Sequence, residues 1–356
     1  ETAKFIVKCL QEIGISTITE GIGGTGILAE IPGKISSGPT SIFRAELDAL
    51  PILENATHDH ISKNKGIMHA CGHDGHMATL LSLAAELQKN PPKNGKIFLL
   101  FQPAEETGEG AIAMVTDPRE ILPPKIDFIF GFHNIPGFPL GQVLLREGTF
   151  ACASTGVEIS FLGKPSHAAY PEHGVSPAIA IAEFLLLVKK IPEMFPGHLA
   201  MSTVCHIIAG EEAYGTAAGS GKICLTLRSD SKEVFLEMKN FVVESVEKMG
   251  RDFGLETNLK WIEPFEATVN AAVAVGKIRK AAEALGFSVL DLVEPMRWSE
   301  DFGIFCEKWE GTGAFFGLGS GESYSQLHNE NFDFPDELIG RCTCLYKTLI
   351  DDIHSQ

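Results

Sequence analysis

Lys96–Phe101 (KIFLLF) is a short run of apolar side chains behind one Lys, with no polar–apolar alternation. Such a run reads as a strand buried on both faces, the pattern of a sheet with helices packed on either side. Thr40–Leu47 and Ile126–Phe132 are runs of related character, and Gly313–Leu318 is another near the C-terminal end. The first three deliver a chemically competent residue at their C-terminal ends: Asp48, the pair Glu105 and Glu106, and His133. The last is followed closely by His328. Open α/β sheets place their sites at this edge. The chain is therefore expected to fold as α/β, with its chemistry gathered at one end of a sheet.

Beside these runs lies Met68–His76 (MHACGHDGH), with Cys71, His69, His73, His76 and Asp74 close together and two Gly for close backbone approach. An apolar helical run, Met77–Leu87, follows at once. Thiolate and imidazole suit a borderline-soft divalent ion. A free Cys is more often a small buried residue, and a lone His a satisfied polar group. The recurrence of acids and His at strand ends favours the metal reading. A structural zinc site would be a closed Cys/His tetrahedron and would need no such acids. In the pair Glu105–Glu106 adjacent carboxylates point in different directions, so one can ligate metal while the other accepts a proton.

Composition bounds the alternatives. The chain has 356 residues, 44% hydrophobic and 21% charged, enough for two domains. Net charge is −17, which argues against nucleic acid. Ile179–Val188 is too short to span a bilayer and contains Glu183, so no membrane role is expected. The 8 Cys show no disulfide spacing, as expected of the cytoplasm. Cys342 and Cys344 fall on different faces of a helix and should not pair. The chain opens at Glu1 inside an amphipathic pattern, so an upstream segment is expected and a signal peptide is left open.

The texture changes from about Thr155. Strand-like Thr155–Leu162, helical Ser176–Ile191, strands Met201–Ile208 and Lys222–Ser229, helical Ser231–Phe253 and a strand Leu255–Ile262 follow in turn. That order is ferredoxin-like. Residues 155–262 are thus expected to be an inserted α+β domain, carrying its own polar cluster at Ser166–His167 and Arg228 at a strand end. Residues 1–154 and 263–356 make up the interrupted α/β domain.

The ordered set FRAELDALP (Phe43–Pro51), MHACGHDGH, FQPAEE (Phe101–Glu106), FGFHNIP (Phe130–Pro136), SHAAYPEHG (Ser166–Gly174), SEDF (Ser299–Phe302) and LHNENFDF (Leu327–Phe334) resembles the M20 metallopeptidases. More narrowly it is similar to their amidohydrolase branch: N-acyl-amino-acid amidohydrolases, aminoacylase-like and hippurate hydrolases, and auxin-conjugate hydrolases. The resemblance spans nearly the whole chain.

It implies a mixed-sheet two-metal hydrolase domain, with the insertion serving as lid and dimerisation domain. Cys71, His73, Glu106, His133 and His328 match the ligands of two divalent ions, with Zn²⁺, Mn²⁺, Co²⁺ or Ni²⁺ all suited. Cys71 stands where other branches use a bridging Asp. Glu105 matches the general base, and Asp48 the acid that tunes the centre. His167 and Arg228 match lid residues near the substrate. The implied substrate is an N-acyl amino acid or a dipeptide-like amide, and the implied assembly a homodimer through the lid. Tyr214–Ala217 departs from the family's Asn-bearing stretch and bears on specificity. Two other readings stay open: an amidase with Cys71 as nucleophile, and a non-catalytic metal- or peptide-binding protein on the same scaffold.

Overall fold

A computed structural model describes residues 1–355. The elements that carry the fold are, in chain order, α1 (Thr2–Ile13), β1 (Thr17–Ile22), β2 (Gly26–Pro32), β3 (Ile35–Glu46), α2 (His73–Lys89), β4 (Asn94–Gln102), β5 (Phe128–Ile135), β6 (Val143–Leu145), β7 (Ala153–Leu162), α3 (Ala178–Val188), β8 (Ala200–Ala209), β9 (Ser220–Ser229), α4 (Lys232–Phe253), β10 (Glu256–Phe265), α5 (Ala272–Ala284), β11 (Val289–Asp291), β12 (Gly313–Gly319) and α6 (Glu337–His354). The chain divides into two compact units. One comprises residues 1–150, 268–295 and the chain from Glu300 on. The other comprises residues 151–267 and 296–299, where the sequence suggests 155–262.

The first unit holds a mixed sheet in the order β1-β2-β4-β3-β5-β12-β6-β11. Its central strands β4, β3, β5 and β12 run parallel, and antiparallel pairs flank them at β2–β4 and β12–β6. The non-alternating sequence of these strands has a direct cause. Phe43, Ala45, Leu99, Phe101, Phe130 and Phe132 belong to a core shared with α1, α2, α5 and α6. Their neighbours Ile42, Leu100 and Ile129 are buried as well, so both faces are covered. The strand β1 had no expectation behind it. TITEGI is short, half-exposed and interrupted by Gly21, as suits a sheet edge.

In α6, Leu338, Cys342, Leu345, Leu349 and Ile353 line the buried face. Full burial of such aliphatic side chains contributes about 1.5–3 kcal/mol each. Cys342 is buried and Cys344 exposed, and all 8 Cys are free thiols.

The second unit is an antiparallel sheet in the order β8-β9-β7-β10, crossed by α3 and α4. Its chain order, strand-helix-strand-strand-helix-strand, is ferredoxin-like. Ser231 caps α4 by accepting from the Val234 amide. The helical stretch expected through Ile191 is broken. α3 ends at Val188, and a separate turn, Ile191–Met194, restarts with Pro192 in its first positions, where a missing N–H costs least.

Candidate metal centre

Chain direction brings the site together. β3, β4, β5 and β12 are parallel, so their C-terminal ends meet at one edge of the first unit. Asp48 follows β3, Glu105 and Glu106 follow β4, and His133 lies near the end of β5. The loop carrying Cys71 enters α2, whose first residue is His73. Gly72, just before it, has φ 90°, and a Cβ there would lie 2.5 Å from Asn134 Oδ1. Only glycine suits that position. Two non-glycine residues with positive φ also border the site, Ala104 at 50° and His328 at 62°. Strained backbone of this kind concentrates at functional sites.

Several sets of three donors converge here. Cys71, His73 and His133 offer ligand atoms within 4.8 Å of one another, and so do Cys71, Glu106 and His328, and His73, Glu105 and Glu106. Cys71 is common to the first two. Its Sγ lies 3.3 Å from His133 Nε2, and His328 Nε2 lies 3.4 Å from Glu106 Oε2. His73 and His133 each donate Nδ1–H to a backbone carbonyl, Asp48 O at 3.0 Å and Asn134 O at 2.8 Å. That fixes the tautomer and leaves the Nε2 lone pairs facing the centre, as metal-binding His require. Asp48 Oδ2 accepts from the Glu106 amide at 3.0 Å, tying the ends of β3 and β4.

The residues fit divalent ions. His73 Nε2, Asp48 Oδ1 and Glu106 Oε1 are all buried without a hydrogen-bond partner. Each such atom costs about 1–3 kcal/mol unless something satisfies it, and a cation would. The charge balance agrees. Burial works to lower the His73 pKa, yet Asp48, Glu46 and Glu106 lift it to about 10. The pocket therefore attracts positive charge. Burial, helped by Glu106, Glu105 and Glu46, pushes the Cys71 thiol well up, and only a cation close by would reverse that.

Glu105 is buried, with Oε2 3.9 Å from His73 Nε2. Burial, with Glu300 and Asp301 close by, pushes its carboxyl well up. A carboxylate raised in this way is the type that serves as a general base near neutral pH.

A buried polar network lies under the site, and the sequence reading gave it no role. The Arg44 guanidinium donates to Gln102 Oε1 at 2.8 Å, Glu300 Oε1 at 2.8 Å, Asp301 Oδ1 at 2.9 Å and Glu46. Glu46 Oε2 pairs with His76 Nδ1 at 2.7 Å, and His76 Nε2 reaches Asn134 Oδ1 at 2.7 Å. Burial lifts Asp301 to about 8, against the pull of Arg44. The available signal was Arg44 and Glu46 alternating with Phe43, Ala45 and Leu47 at an apolar strand end, since buried charges need partners.

The two remaining expected site residues belong to the second unit. His167 is exposed on a two-residue strand paired with Thr216–Ala217, and its Nδ1 accepts from the Ala169 amide at 3.1 Å. Arg228, on β9, donates to Arg297 O at 3.1 Å and Ser299 Oγ at 3.0 Å.

Comparison with known proteins decides the family. The model of peptidase family M20/M25/M40 matches residues 42–352. The chain belongs to peptidase family M20/M25/M40. It is 36% identical to an N-acetyl-L-cysteine deacetylase of Bacillus subtilis over 89% of this chain and 75% of that protein. It is 31% identical to a hippurate hydrolase of Campylobacter jejuni over 98% of this chain and 90% of that one. Among solved structures it is similar to the Bacillus subtilis YXEP protein, a dinuclear metal-binding peptidase of the M20 family, with TM-score 0.83 and 26% identity over 99% and 92% of the two chains. A putative aminohydrolase from methicillin-resistant Staphylococcus aureus shares the fold at TM-score 0.87 and 23% identity, over 99% and 91%. This M20 chain is a metal-dependent amide hydrolase. Among the described residues no helix is long and apolar enough to cross a membrane.

Proposed function

We propose that this M20 hydrolase removes the acyl group from small N-acyl amino acids, at a centre of two divalent ions held by Cys71, His73, Glu106, His133 and His328. The observation that carries the reading is the meeting of two donor triads at Cys71. Bound there, the ions would polarise the scissile carbonyl and lower the pKa of water. Glu105 takes one proton from the attacking water as its oxygen bonds to the carbonyl carbon. It then passes that proton to the nitrogen as the C–N bond breaks. Asp48 orients His73 and anchors the Glu106 backbone.

The substrate class rests on the relatives, which include N-acetylcysteine and N-acetyldiaminopimelate deacetylases and a hippurate hydrolase. Each is named for an amino acid carrying an acyl group. Sulfur, imidazole and carboxylate donors together suit Zn²⁺, Mn²⁺, Co²⁺ or Ni²⁺. Cys71 as nucleophile is disfavoured. A nucleophilic Cys needs a depressed pKa, and this buried thiol is pushed the other way. A screen of N-acetyl, N-benzoyl and dipeptide substrates with each metal restored tests the reading. Absence of hydrolysis under every metal would refute it.

The second unit is the proposed lid and dimerisation domain, with His167 and Arg228 as its substrate-side residues. Its edge strand β8 exposes Val204, Ile207 and Ile208, an apolar edge that natural proteins rarely leave uncovered. A homodimer through β8 would cover it. Light scattering that shows only monomer at micromolar concentration would rule that out. The free thiols fit a cytoplasmic setting.

A further inference from the structure

Glu105 and Glu106 sit side by side in a short loop, residues 103–109, between β4 and the short helix Gly110–Val115. The loop is closed at its neck. Ala104 O accepts from the Glu109 amide at 3.3 Å and the Gly110 amide at 3.0 Å, and Glu105 O accepts from the Gly108 amide at 2.8 Å. A Cβ on Gly110 would lie 1.6 Å from Pro103 O, so the returning chain passes where only glycine fits. These bonds shape the loop. They do not fix where its two carboxylates stand relative to the sheet.

Asp301 holds both ends of the loop, from a position 199 residues beyond Gln102. Gln102, the last residue of β4, donates Nε2–H to Oδ1 and to Oδ2, each at 2.7 Å. The Ala111 amide, just past the loop, donates to Oδ2 at 2.9 Å. The Arg44 guanidinium donates to Oδ1 at 2.9 Å. Arg44 Nε also donates to Gln102 Oε1 at 2.8 Å, which turns the NH₂ of that amide toward Asp301. Asp301 is fully buried, and in these contacts it only accepts. Burial raises its pKa, but a proton on either oxygen would face a donor, so the contacts select the carboxylate. Bonds to an ionised acceptor are the strong kind. None of them goes to Cys71, His73, Glu106, His133 or His328.

We propose that Asp301 is a positioning residue for the hydrolysis: by tying the strand before the loop and the helix after it to one carboxylate, it sets Glu105 where it can take a proton from the attacking water. This role presupposes Glu105 as the base. Proton transfer needs the base within hydrogen-bond reach, and a misplacement of about 1 Å can cost about 10²-fold in rate. Asp301→Asn keeps the volume and turns one acceptor into a donor. Whichever way the new amide lies, its NH₂ meets Gln102 Nε2 and either Arg44 or the Ala111 amide. One end of the loop is then released.

Four full-length proteins decide it: wild type, D301N, E105Q and D301N/E105Q. Each is assayed in excess of the metal that best supports the wild type, on the N-acyl amino acid the wild type cleaves fastest. D301N should lower kcat about 10²-fold with KM little changed. In the E105Q background the same substitution should lower it hardly further, because the carboxylate it places is gone. A residue that only stabilised the fold would cost the same in both backgrounds. Equal losses in the two backgrounds, or no loss in D301N, would overturn the proposal. Normal turnover by E105Q would instead remove Glu105 as the base, and the role of Asp301 with it. Hydrogen exchange on metal-free protein needs no substrate. Amides of residues 103–111 should exchange faster in D301N while those of α6 keep their rates. Unchanged exchange in the loop would equally overturn the proposal. If D301N fails to fold, Gln102→Met replaces it, cutting the strand side of the clamp and leaving the buried charges in place. The same dependence on Glu105 is expected, and equal losses in both backgrounds would again overturn it.

Discussion

Cys71 Sγ lies 3.3 Å from His133 Nε2, and the same sulfur belongs to a second triad with Glu106 and His328. One side chain therefore belongs to both donor triads, and in the proposed two-ion centre it would serve both ions. Its removal should affect both together, whereas loss of a peripheral ligand should affect one.

Cys71→Ala should accordingly lower bound metal at both positions, and activity should fall by more than the roughly 10–100-fold typical of losing a supporting partner. Cys71→Asp should retain metal, because a carboxylate can also share its two oxygens between ions. Metal analysis beside turnover decides the matter. A C71A protein with full metal and no turnover would restore a nucleophilic role for the thiol.

Arg44 is fully buried among Glu46, Glu300 and Asp301. Arg44→Met would keep much of the volume and strip three carboxylates of their common partner. Breaking a buried pair in this way costs about 3–5 kcal/mol. Urea unfolding should show a loss of that order for R44M. A loss below about 1 kcal/mol, the scale of an exposed ion pair, would mean the carboxylates are satisfied without Arg44.

Stability should fall on mild acidification through His354. This buried imidazole donates Nδ1–H to Asn94 O at 2.9 Å and faces Ser41 Oγ at 2.9 Å through Nε2. Burial lowers its pKa below the ordinary value of 6.5. The unfolded chain then binds the proton more readily than the folded one, so stability rises with pH in this window. The contribution is complete above the unfolded pKa and drains away as pH falls from there toward the depressed folded value. His354→Gln should flatten this part of the stability–pH curve. An unchanged slope would show that His354 titrates alike in both states.

Much of the fold and of the candidate site was legible in the sequence because both follow from strand ends. Apolar runs without alternation pointed to a doubly covered sheet, and β4 and β5 are such strands. Parallel strands share a direction, so Asp48, Glu105, Glu106 and His133 could be grouped without knowing strand order. Short elements such as β1 and β6 escaped because their few residues carry no period. The Arg44 network escaped for another reason. A sequence shows that Glu46, His76, Glu300 and Asp301 are polar, but not that they are buried against one guanidinium.

The adjacent acids Glu105 and Glu106 should fail differently when neutralised. Glu106 Oε2 faces His328 at 3.4 Å, and its Oε1 is buried without a hydrogen-bond partner, 3.9 Å from His73 Nε2. Glu106→Gln removes a charged donor, so metal content should fall, and excess metal should restore part of the activity. Glu105 belongs to neither triad that includes Cys71; its Oε2 lies 3.9 Å from His73 Nε2, and it shares a further donor set with His73 and Glu106. Glu105→Gln should therefore keep its metal. Turnover should nonetheless drop by at least the roughly 10²–10⁴-fold associated with a general base, and added metal should not rescue it. Substrate affinity should change little, because the lost interaction is with a proton in transfer and not with the ground state. Metal analysis, kcat and KM on the two variants separate the roles. If E105Q loses metal while E106Q keeps it and loses turnover, the two assignments exchange places. If both variants turn over normally, the carboxylates after β4 do not carry the reaction.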